Sequence, residues 1–212
     1  MIRLKKFTFN PVSVNAWLLW DETNEAVLID AACFDKEEEA ELTGFIEHQH
    51  LKIVRLLNTH GHFDHLMGNS FAFGKWGLKC GIHSGDVFML DQAAQHAKFF
   101  GVAMKNPSSE VELLAEGDVV TFGNSSLKVI HVPGHSPGSV AFYAEKEKMI
   151  VVGDILFEGS IGRTDLPGGN YSQLISGIRE KLLTLDDDVR VFSGHGAETT
   201  IGREKRTNPF LQ

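Results

Sequence analysis

Short apolar runs separated by polar turns make up the first 30 residues of the chain. The runs cover residues 2–9, 14–20 and 26–29, and they are divided by Asn10-Pro11 and by the polar segment 21–25. Runs of this length, rich in β-branched and aromatic residues and bounded by turn formers, are typical of short strands joined in sequence. The pattern therefore predicts an antiparallel meander of three strands.

A helix is predicted directly after this meander. Asp35 can cap its N-terminus, and Glu38 three positions later completes a capping box. The apolar face repeats at the helical spacing of three and four residues through Leu42, Phe45, Ile46 and Gln49. The next apolar run, residues 53–57, is a strand, and helical patterns follow over residues 66–75 and, more loosely, 84–105.

The second half of the chain returns to short strands at hairpin spacing. These strands are predicted over residues 119–122, 127–132, 140–143 and 149–152. An apolar stripe predicts a helix over residues 171–183, and a last strand follows at residues 189–192. Since no Gly-, Pro- or Ser-rich linker separates the two β-then-α halves, we predict two sheets enclosed between helices in a single domain, residues 1–212.

Composition and charge narrow the class of protein. The 212 residues are 42% hydrophobic and 23% charged, which is ordinary for a globular domain. A formal net charge of −8 disfavours a nucleic-acid partner. No segment approaches the ~20 apolar residues of a membrane span, and no signal peptide is evident. The two cysteines, Cys33 and Cys80, form no CxxC pair. We expect a cytoplasmic protein without a membrane partner, and no pattern specifies its oligomeric state.

Histidine is unusually frequent in this composition, and several of the histidines lie where predicted strands end. The chain has ten histidines. Four strands run into Gly-rich turns that carry imidazole or carboxylate groups, and such turns converge when they lie at one edge of a sheet. The side chains concerned are His60, His62, Asp64, His65, His135, Asp154 and His195.

Seven such groups are too many for one metal ion. Zinc accepts imidazole and carboxylate ligands, and a catalytic zinc has three protein ligands and a water. Two ions that share one carboxylate would use all seven groups. We therefore expect two divalent metal ions per chain, zinc or alternatively iron or manganese, because all three accept this ligand set.

The same residues form a known motif. His60-Gly61-His62-Phe63-Asp64-His65, with His135 in Pro-Gly-His-Ser-Pro-Gly, Asp154 in Gly-Asp and His195 in Gly-His-Gly, resembles the metallo-β-lactamase superfamily. Within it, the chain looks most like the small glyoxalase II type enzymes, the hydroxyacylglutathione hydrolases, and the resemblance spans residues 1–212. The segment Gly162-Arg163-Thr164-Asp165 and the ending Asn208-Pro209-Phe210-Leu211 belong to it as well.

The resemblance implies a fold and a ligand assignment. The fold is an α/β (α+β) four-layered αβ/βα sandwich. His60, His62 and His135 would hold the first metal, and Asp64, His65 and His195 the second. Asp154 would bridge the two ions.

The resemblance also implies a hydrolytic reaction. A water ionised by two metals would attack the carbonyl of an S-acyl thioester, such as an acylglutathione, and the catalytic Asp64 would orient that water and accept its proton. Three other branches of the superfamily fit this sequence poorly. Zinc β-lactamases with a thiolate ligand carry Cys where this chain has Asp154, and diiron oxygen-reducing relatives carry Glu where it has His62. Nuclease branches carry a further domain. The alternatives are a mononuclear iron persulfide dioxygenase that uses His60, His135 and Asp154, a lactonase, or a metal-binding domain without turnover.

Substrate recognition is less clearly encoded. The family places a basic substrate-binding residue at Arg163, which could bind a carboxylate or form a surface salt bridge. Asp165 stands where the family has a tyrosine, and we expect no C-terminal helical extension of the kind that binds glutathione. An apolar segment could form either a lid over an acyl group or part of the core: Phe88, Met89, Phe99, Phe100, Val102 and Met104.

Overall fold

Two mixed β-sheets face each other at the centre of the molecule. The computed structural model describes residues 1–108 and 110–212. The first sheet has six strands in chain order: β1 (Arg3–Phe9), β2 (Val14–Trp20), β3 (Glu25–Ile29), β4 (Lys52–Leu57), β5 (Cys80–His83) and β6 (Val111–Leu114). The first three strands are antiparallel, as the meander predicted, and the last three continue in parallel.

The second sheet contains the strands of the second half of the chain. They are β7 (Val119–Phe122), β8 (Ser125–His131), β9 (Val140–Ala144), β10 (Met149–Gly153), β13 (Arg190–Ser193) and β14 (Thr199–Thr200), in the order β14-β13-β10-β9-β8-β7. Only β10 and β13 pair in parallel among the described strands of this sheet. A small hairpin, β11 (Leu156–Phe157) and β12 (Ser160–Ile161), lies between β10 and β13 in the sequence.

Helices cover the outer faces of both sheets. They are α1 (Lys36–His48), α2 (Phe63–Leu66), α3 (Asn69–Trp76), α4 (Val87–Phe99), α5 (Tyr171–Gly177) and α6 (Ile201–Thr207). A 3₁₀ turn (Ser84–Asp86) precedes α4, and a π-helical turn (Ile178–Leu182) extends α5.

Three apolar clusters hold the layers together. One lies between the sheets and contains buried aromatic side chains such as Trp17 and Phe142. A second packs the first sheet against α1, α3 and α4 through residues such as Leu42 and Leu90. A third packs the second sheet against α5 and α6 through Leu174. The order of layers is therefore helix, sheet, sheet, helix, which confirms the predicted four-layered sandwich.

The start of α1 differs in one detail from the predicted capping box. The Asp35 carboxylate accepts from the backbone N–H groups of Glu37 and Glu38, as an N-cap does. The Glu38 carboxylate does not reach back to Asp35. It accepts instead from the backbone N–H groups of Asn10, at 2.8 Å, and Phe34, at 2.7 Å, and so ties the β1–β2 turn to the helix.

The helix predicted over residues 66–75 is present as α3, but it begins three residues later, at Asn69. Two helices, α2 and α3, are separated at Gly68, whose backbone passes so close to Ala31 that a Cβ would lie 2.2 Å from the Ala31 carbonyl oxygen. Strands β5, β6 and β14, the β11–β12 hairpin and helix α6 were also not predicted, because their apolar runs are short. In the described part of the chain, the helices are too short or too polar to cross a bilayer.

Candidate metal centre

The seven predicted ligand side chains lie together at the ends of four strands. The loop after β4 supplies His60 and His62, and helix α2 directly after it supplies Asp64 and His65. The loops after β8, β10 and β13 supply one candidate ligand each: His135, Asp154 and His195. Their nitrogen and oxygen atoms form three overlapping groups, within each of which all atoms lie within 4.8 Å of one another. The predicted convergence is therefore present in the structure.

The first group consists of His60, His62 and His135. His62 Nδ1 lies 2.9 Å from His135 Nε2, which lies 3.2 Å from His60 Nε2. Two nitrogens bound to one tetrahedral zinc at about 2.0–2.1 Å are separated by about 3.3 Å. The three imidazoles are thus spaced as the ligands of one ion would be.

Asp64, His65 and His195 form the second group, and Asp154 faces both groups. His195 Nε2 lies 3.4 Å and His65 Nε2 3.8 Å from Asp64 Oδ2. Asp154 Oδ1 lies 3.4 Å from His65 Nε2, and its Oδ2 lies 3.7 Å from His135 Nε2. A carboxylate in this position can reach an ion in either group.

Hydrogen bonds on the far side of three imidazole rings orient their inner nitrogens. His135 Nδ1 donates to the Arg163 carbonyl at 2.8 Å, and His195 Nδ1 donates to the Ser13 carbonyl at 3.2 Å. His65 Nδ1 donates to the Asp30 carboxylate at 2.9 Å. In the neutral form of each ring Nδ1 carries the proton, so Nε2 would present a lone pair to a metal at the centre, which is the usual arrangement around a metal.

Asp30 is a functional residue that the sequence reasoning missed. Its fully buried carboxylate accepts from His65, from the Thr59 hydroxyl at 2.7 Å and the Thr59 N–H at 2.8 Å, and from the Asn58 amide at 3.2 Å. It thereby fixes the beginning of the ligand loop. A signal was present, since Asp30 follows directly after strand β3, as the predicted ligands follow their strands.

Asp86 is a second missed residue, and it joins the two loops of the first group. Its buried carboxylate accepts from the Gly61 N–H at 2.8 Å, the Ser136 hydroxyl at 2.6 Å and the Gly138 N–H at 2.6 Å. A Cβ at Gly138 would lie 2.7 Å from the carboxyl carbon of Asp86, so only glycine fits there. Burial raises the pKa of Asp86, although these three hydrogen bonds oppose the shift. Asp86 follows β5, a strand that the sequence did not predict.

The electrostatic environment favours the protonation states in which His60, His62 and Asp154 bind a metal. Burial, together with the neighbouring His135, lowers the pKa of His62 to about 3. Burial and the adjacent His65 lower the pKa of His60 well below its usual range. Burial alone would raise the pKa of Asp154, but the charges of His65 and His135 outweigh it and lower that pKa. Neutral imidazoles and an ionised carboxylate are the forms that bind metal.

The centre also has the polar atoms that a cation would use. His65 Nε2 and Asp154 Oδ1 are buried and have no hydrogen-bond partner among the described residues. Burial opposes a charge on His65, yet the carboxylates of Asp154, Asp30 and Asp64 outweigh it and raise its pKa well above the usual value. Since buried polar groups without partners are costly, the donor set fits divalent metal ions.

A cavity of about 720 Å³ opens above these side chains. Arg163 lies at its rim and forms a two-point ion pair with Asp165, at 2.8 Å and 2.7 Å. The predicted surface salt bridge is therefore present, and the same side chain also lines the cavity. The Arg163 side chain is 54% exposed.

Comparison with known proteins gives the family. The sequence model of the metallo-beta-lactamase superfamily matches residues 9–195. The chain belongs to this superfamily. It is 38% identical over 203 residues to the hydroxyacylglutathione hydrolase GloC of Haemophilus influenzae, covering 93% of this chain and 92% of that protein. The superfamily assignment and this similarity identify a metal-binding hydrolase that is glyoxalase II-like.

Two solved structures share this superfamily fold along almost the whole chain. The crystal structure of the BLEG-1 B3 metallo-beta-lactamase is 34% identical with a TM-score of 0.91, covering 99% of this chain and 100% of that one. The crystal structure of TTHA1623 in a di-iron-bound form is 37% identical with a TM-score of 0.88, covering 98% and 100%. The metallo-β-lactamase fold that the motif predicted is thus confirmed.

Proposed function

We propose that this metallo-hydrolase is a binuclear thioester hydrolase of the glyoxalase II type that cleaves an S-acyl thioester such as an acylglutathione. The observation that carries the proposal is the presence of two donor groups, one of three imidazoles and one with two imidazoles and a carboxylate, with Asp154 facing both. The similarity to GloC supports the choice of a thioester. We assign His60, His62 and His135 to one ion and Asp64, His65 and His195 to the other.

Two bound divalent ions, zinc in our proposal, would supply a water ionised near neutral pH and would polarise the acyl carbonyl. Asp64 lines the cavity and orients the attacking water through its carboxylate. The water oxygen bonds to the carbonyl carbon, the carbon–sulfur bond breaks, and the sulfur leaves with the bonding electron pair. Asp64 holds the proton released by the water and passes it to the departing sulfur. The products are a carboxylate and a thiol.

The structure suits a small molecule better than a macromolecule. The ligand groups lie at the floor of a cavity whose volume falls in the range of small-molecule sites. The net charge of −8 opposes binding to nucleic acid. Both cysteines are buried free thiols, which supports the proposed cytoplasmic location.

Elemental analysis and a substrate panel test the proposal together. We expect two metal ions per chain, and hydrolysis of acylglutathione thioesters that falls by about a thousandfold in Asp64→Asn and in His135→Ala. The matched control is His48→Ala, since His48 is exposed in the last turn of α1.

The alternatives give different results in the same panel. Oxygen consumption with glutathione persulfide at one iron per chain would indicate the dioxygenase, and a preference for lactones would indicate the lactonase. The similarity to BLEG-1 places a β-lactam in the panel as well. Full metal loading without turnover of any substrate would indicate a metal-binding domain.

A further inference from the structure

The cavity above the metal centre is mostly apolar. Apart from the candidate ligands, its polar side chains among the described residues are those of His96, Ser160 and Arg163. One wall comes from α2, α4 and the residue that follows α4, and its residues are Phe63, Met89, His96, Phe99 and Phe100. A second part of the lining, within residues 157–167, also contains apolar side chains but includes the Arg163 cation and the Ser160 hydroxyl. The two parts of the lining therefore offer different chemistry to a ligand.

Aromatic rings form the apolar wall next to the ligands. Phe63 stands between His62 and Asp64 in the sequence and is buried. Its ring stacks on that of Phe100, with centroids 5.2 Å apart and planes inclined by 29°. The wall thus begins beside the ligand loop and continues outward to the end of α4.

The outer part of this wall is exposed to solvent. Phe99 is 79% exposed and Phe100 52% exposed, and both line the cavity. Contiguous exposed aromatic surface is unusual on a protein and typically marks a binding site, because its contact with water is unfavourable. An apolar group seated in the cavity would remove part of this surface from water.

The segment predicted as either lid or core contributes some side chains to the cavity lining and others to the core. Met89, Phe99 and Phe100 line the cavity, whereas Val102 and Met104 pack against the core cluster beneath the first sheet. Phe88 is 46% exposed on the same helix and lies outside the cavity lining.

Given the proposed thioester hydrolysis, we propose that the substrate has an apolar acyl group that lies against Phe63, Phe99 and Phe100. The two arms of a thioester diverge from its carbonyl, so an acyl arm on the aromatic wall leaves the thiol arm for the rest of the lining, which includes Arg163. An anionic thiol arm matches that guanidinium, although it must compete with Asp165 for it. A short hydroxyacyl group would leave the aromatic wall in water.

The dependence of kcat/KM on acyl length tests the inference. Acyl thioesters of glutathione, from acetyl to hexanoyl, are assayed with the metal-loaded enzyme. We expect kcat/KM to rise by up to about fourfold for each added methylene, since each one buried contributes that much to binding. Changing the thiol at constant acyl group is expected to alter the rate through its charge and not through its length.

Phe100→Ala and Phe88→Ala form a matched pair, because Phe88 lies in the first turn of α4 and Phe100 directly follows its last residue. Phe100→Ala is expected to lower kcat/KM for hexanoyl by about tenfold and for acetyl by about twofold or less, because only the longer chain reaches the ring. Phe88→Ala is expected to leave both unchanged, which controls for a general effect on α4.

Three outcomes are distinguishable. A rate that is independent of acyl length, in an enzyme that cleaves thioesters, overturns the apolar subsite and leaves the proposed function standing. Absence of thioester cleavage overturns the proposed function. The subsite is then tested by calorimetric binding of hexanoate and acetate to the metal-loaded protein, and equal affinities would overturn it.

Discussion

Replacing Asp86 by asparagine is the most informative single change at the metal centre. Asp86 Oδ2 accepts from Gly61 and from the hydroxyl of Ser136, and Oδ1 accepts from Gly138. The asparagine oxygen can keep the first two bonds. Its NH₂ group then faces the Gly138 N–H, and two donors cannot bond to each other.

The free-energy cost follows from the number of donors left without a partner. A buried backbone N–H that loses its acceptor costs about 1–3 kcal/mol. Asp86→Asn leaves one such group, so we expect the free energy of unfolding of the metal-free protein to fall by about 2 kcal/mol. Asp86→Ala leaves both backbone N–H groups, and its cost of about 2–6 kcal/mol is a large share of a typical stability.

The effect on metal binding is expected to be unequal between the two groups. Gly61 separates His60 from His62, and Ser136 follows His135, so Asp86 positions all three ligands of the first group. Loss of an outer hydrogen bond of this kind costs about 10–100-fold in metal affinity. The second group is anchored by Asp30 instead and is expected to keep its affinity within about threefold.

Zinc titration in competition with a chromophoric chelator measures both affinities, and urea denaturation measures stability. Asp91→Asn serves as the control, because Asp91 is exposed on α4, just after Asp86 in the chain. Equal weakening of both zinc-binding steps would refute the assignment of Asp86 to the first group. Unchanged zinc affinity in a destabilised Asp86→Asn variant would show that Asp86 acts only in folding.

Three further predictions concern the fold and its stability. Phe142→Ala, in the cluster between the sheets, is expected to lower the free energy of unfolding by about 3–5 kcal/mol. The control Phe210→Ala changes a side chain that is 43% exposed and is expected to lower it by about 1 kcal/mol or less. Equal losses in the two variants would contradict the importance of this cluster. Burial raises the pKa of Asp21, but hydrogen bonds from its own turn and from the β7–β8 turn outweigh it and hold the pKa at about 2, against an ordinary 3.8. The stabilisation by the ionised Asp21 carboxylate is thus complete above pH 4 and is lost as the pH falls through 2. The difference in the free energy of unfolding between wild type and Asp21→Asn should therefore shrink by about 2 kcal/mol over that range. A difference that does not depend on pH would be inconsistent with this prediction. Complete metal removal, verified by elemental analysis, is expected to lower Tm by about 10 °C, because about 4 kcal/mol of binding energy is lost. An unchanged Tm would mean that the ions do not stabilise the fold.

The longer strands and the clustering of the candidate ligands were predictable because both depend on local sequence. The apolar runs of β1, β2 and β3 are bounded by turn formers, and the observed strands match their predicted limits closely. Imidazole and carboxylate groups directly after strands indicated the site, since the strand ends meet at one edge. Strands β5 and β6 were not predicted because Gly81 and Glu112 interrupt their four residues, so neither strand is a continuous apolar run.

The interactions of individual charged side chains were harder to predict. Glu38 has the spacing of a capping box, yet it binds the backbone of Asn10, 28 positions away in the chain. Arg163 could be placed near the substrate by the motif, but its ion pair with Asp165 depends on a turn that the sequence does not specify. The fold brings Asn10 close to Glu38, whereas Asp165 is only two positions from Arg163 in the chain.

By itself, the sequence determined the sandwich of two sheets, the seven candidate ligands and the superfamily to which they belong. The tertiary structure alone decided which groups position those ligands and what surrounds them. Asp86 is 25 residues from Gly61 and 52 from Gly138, and the stacking of Phe63 on Phe100 joins α2 to the end of α4. Hydrophobic periodicity records only which face of each element is buried. The partner across that face is chosen when the layers pack, and the proposed substrate preference arises from that packing.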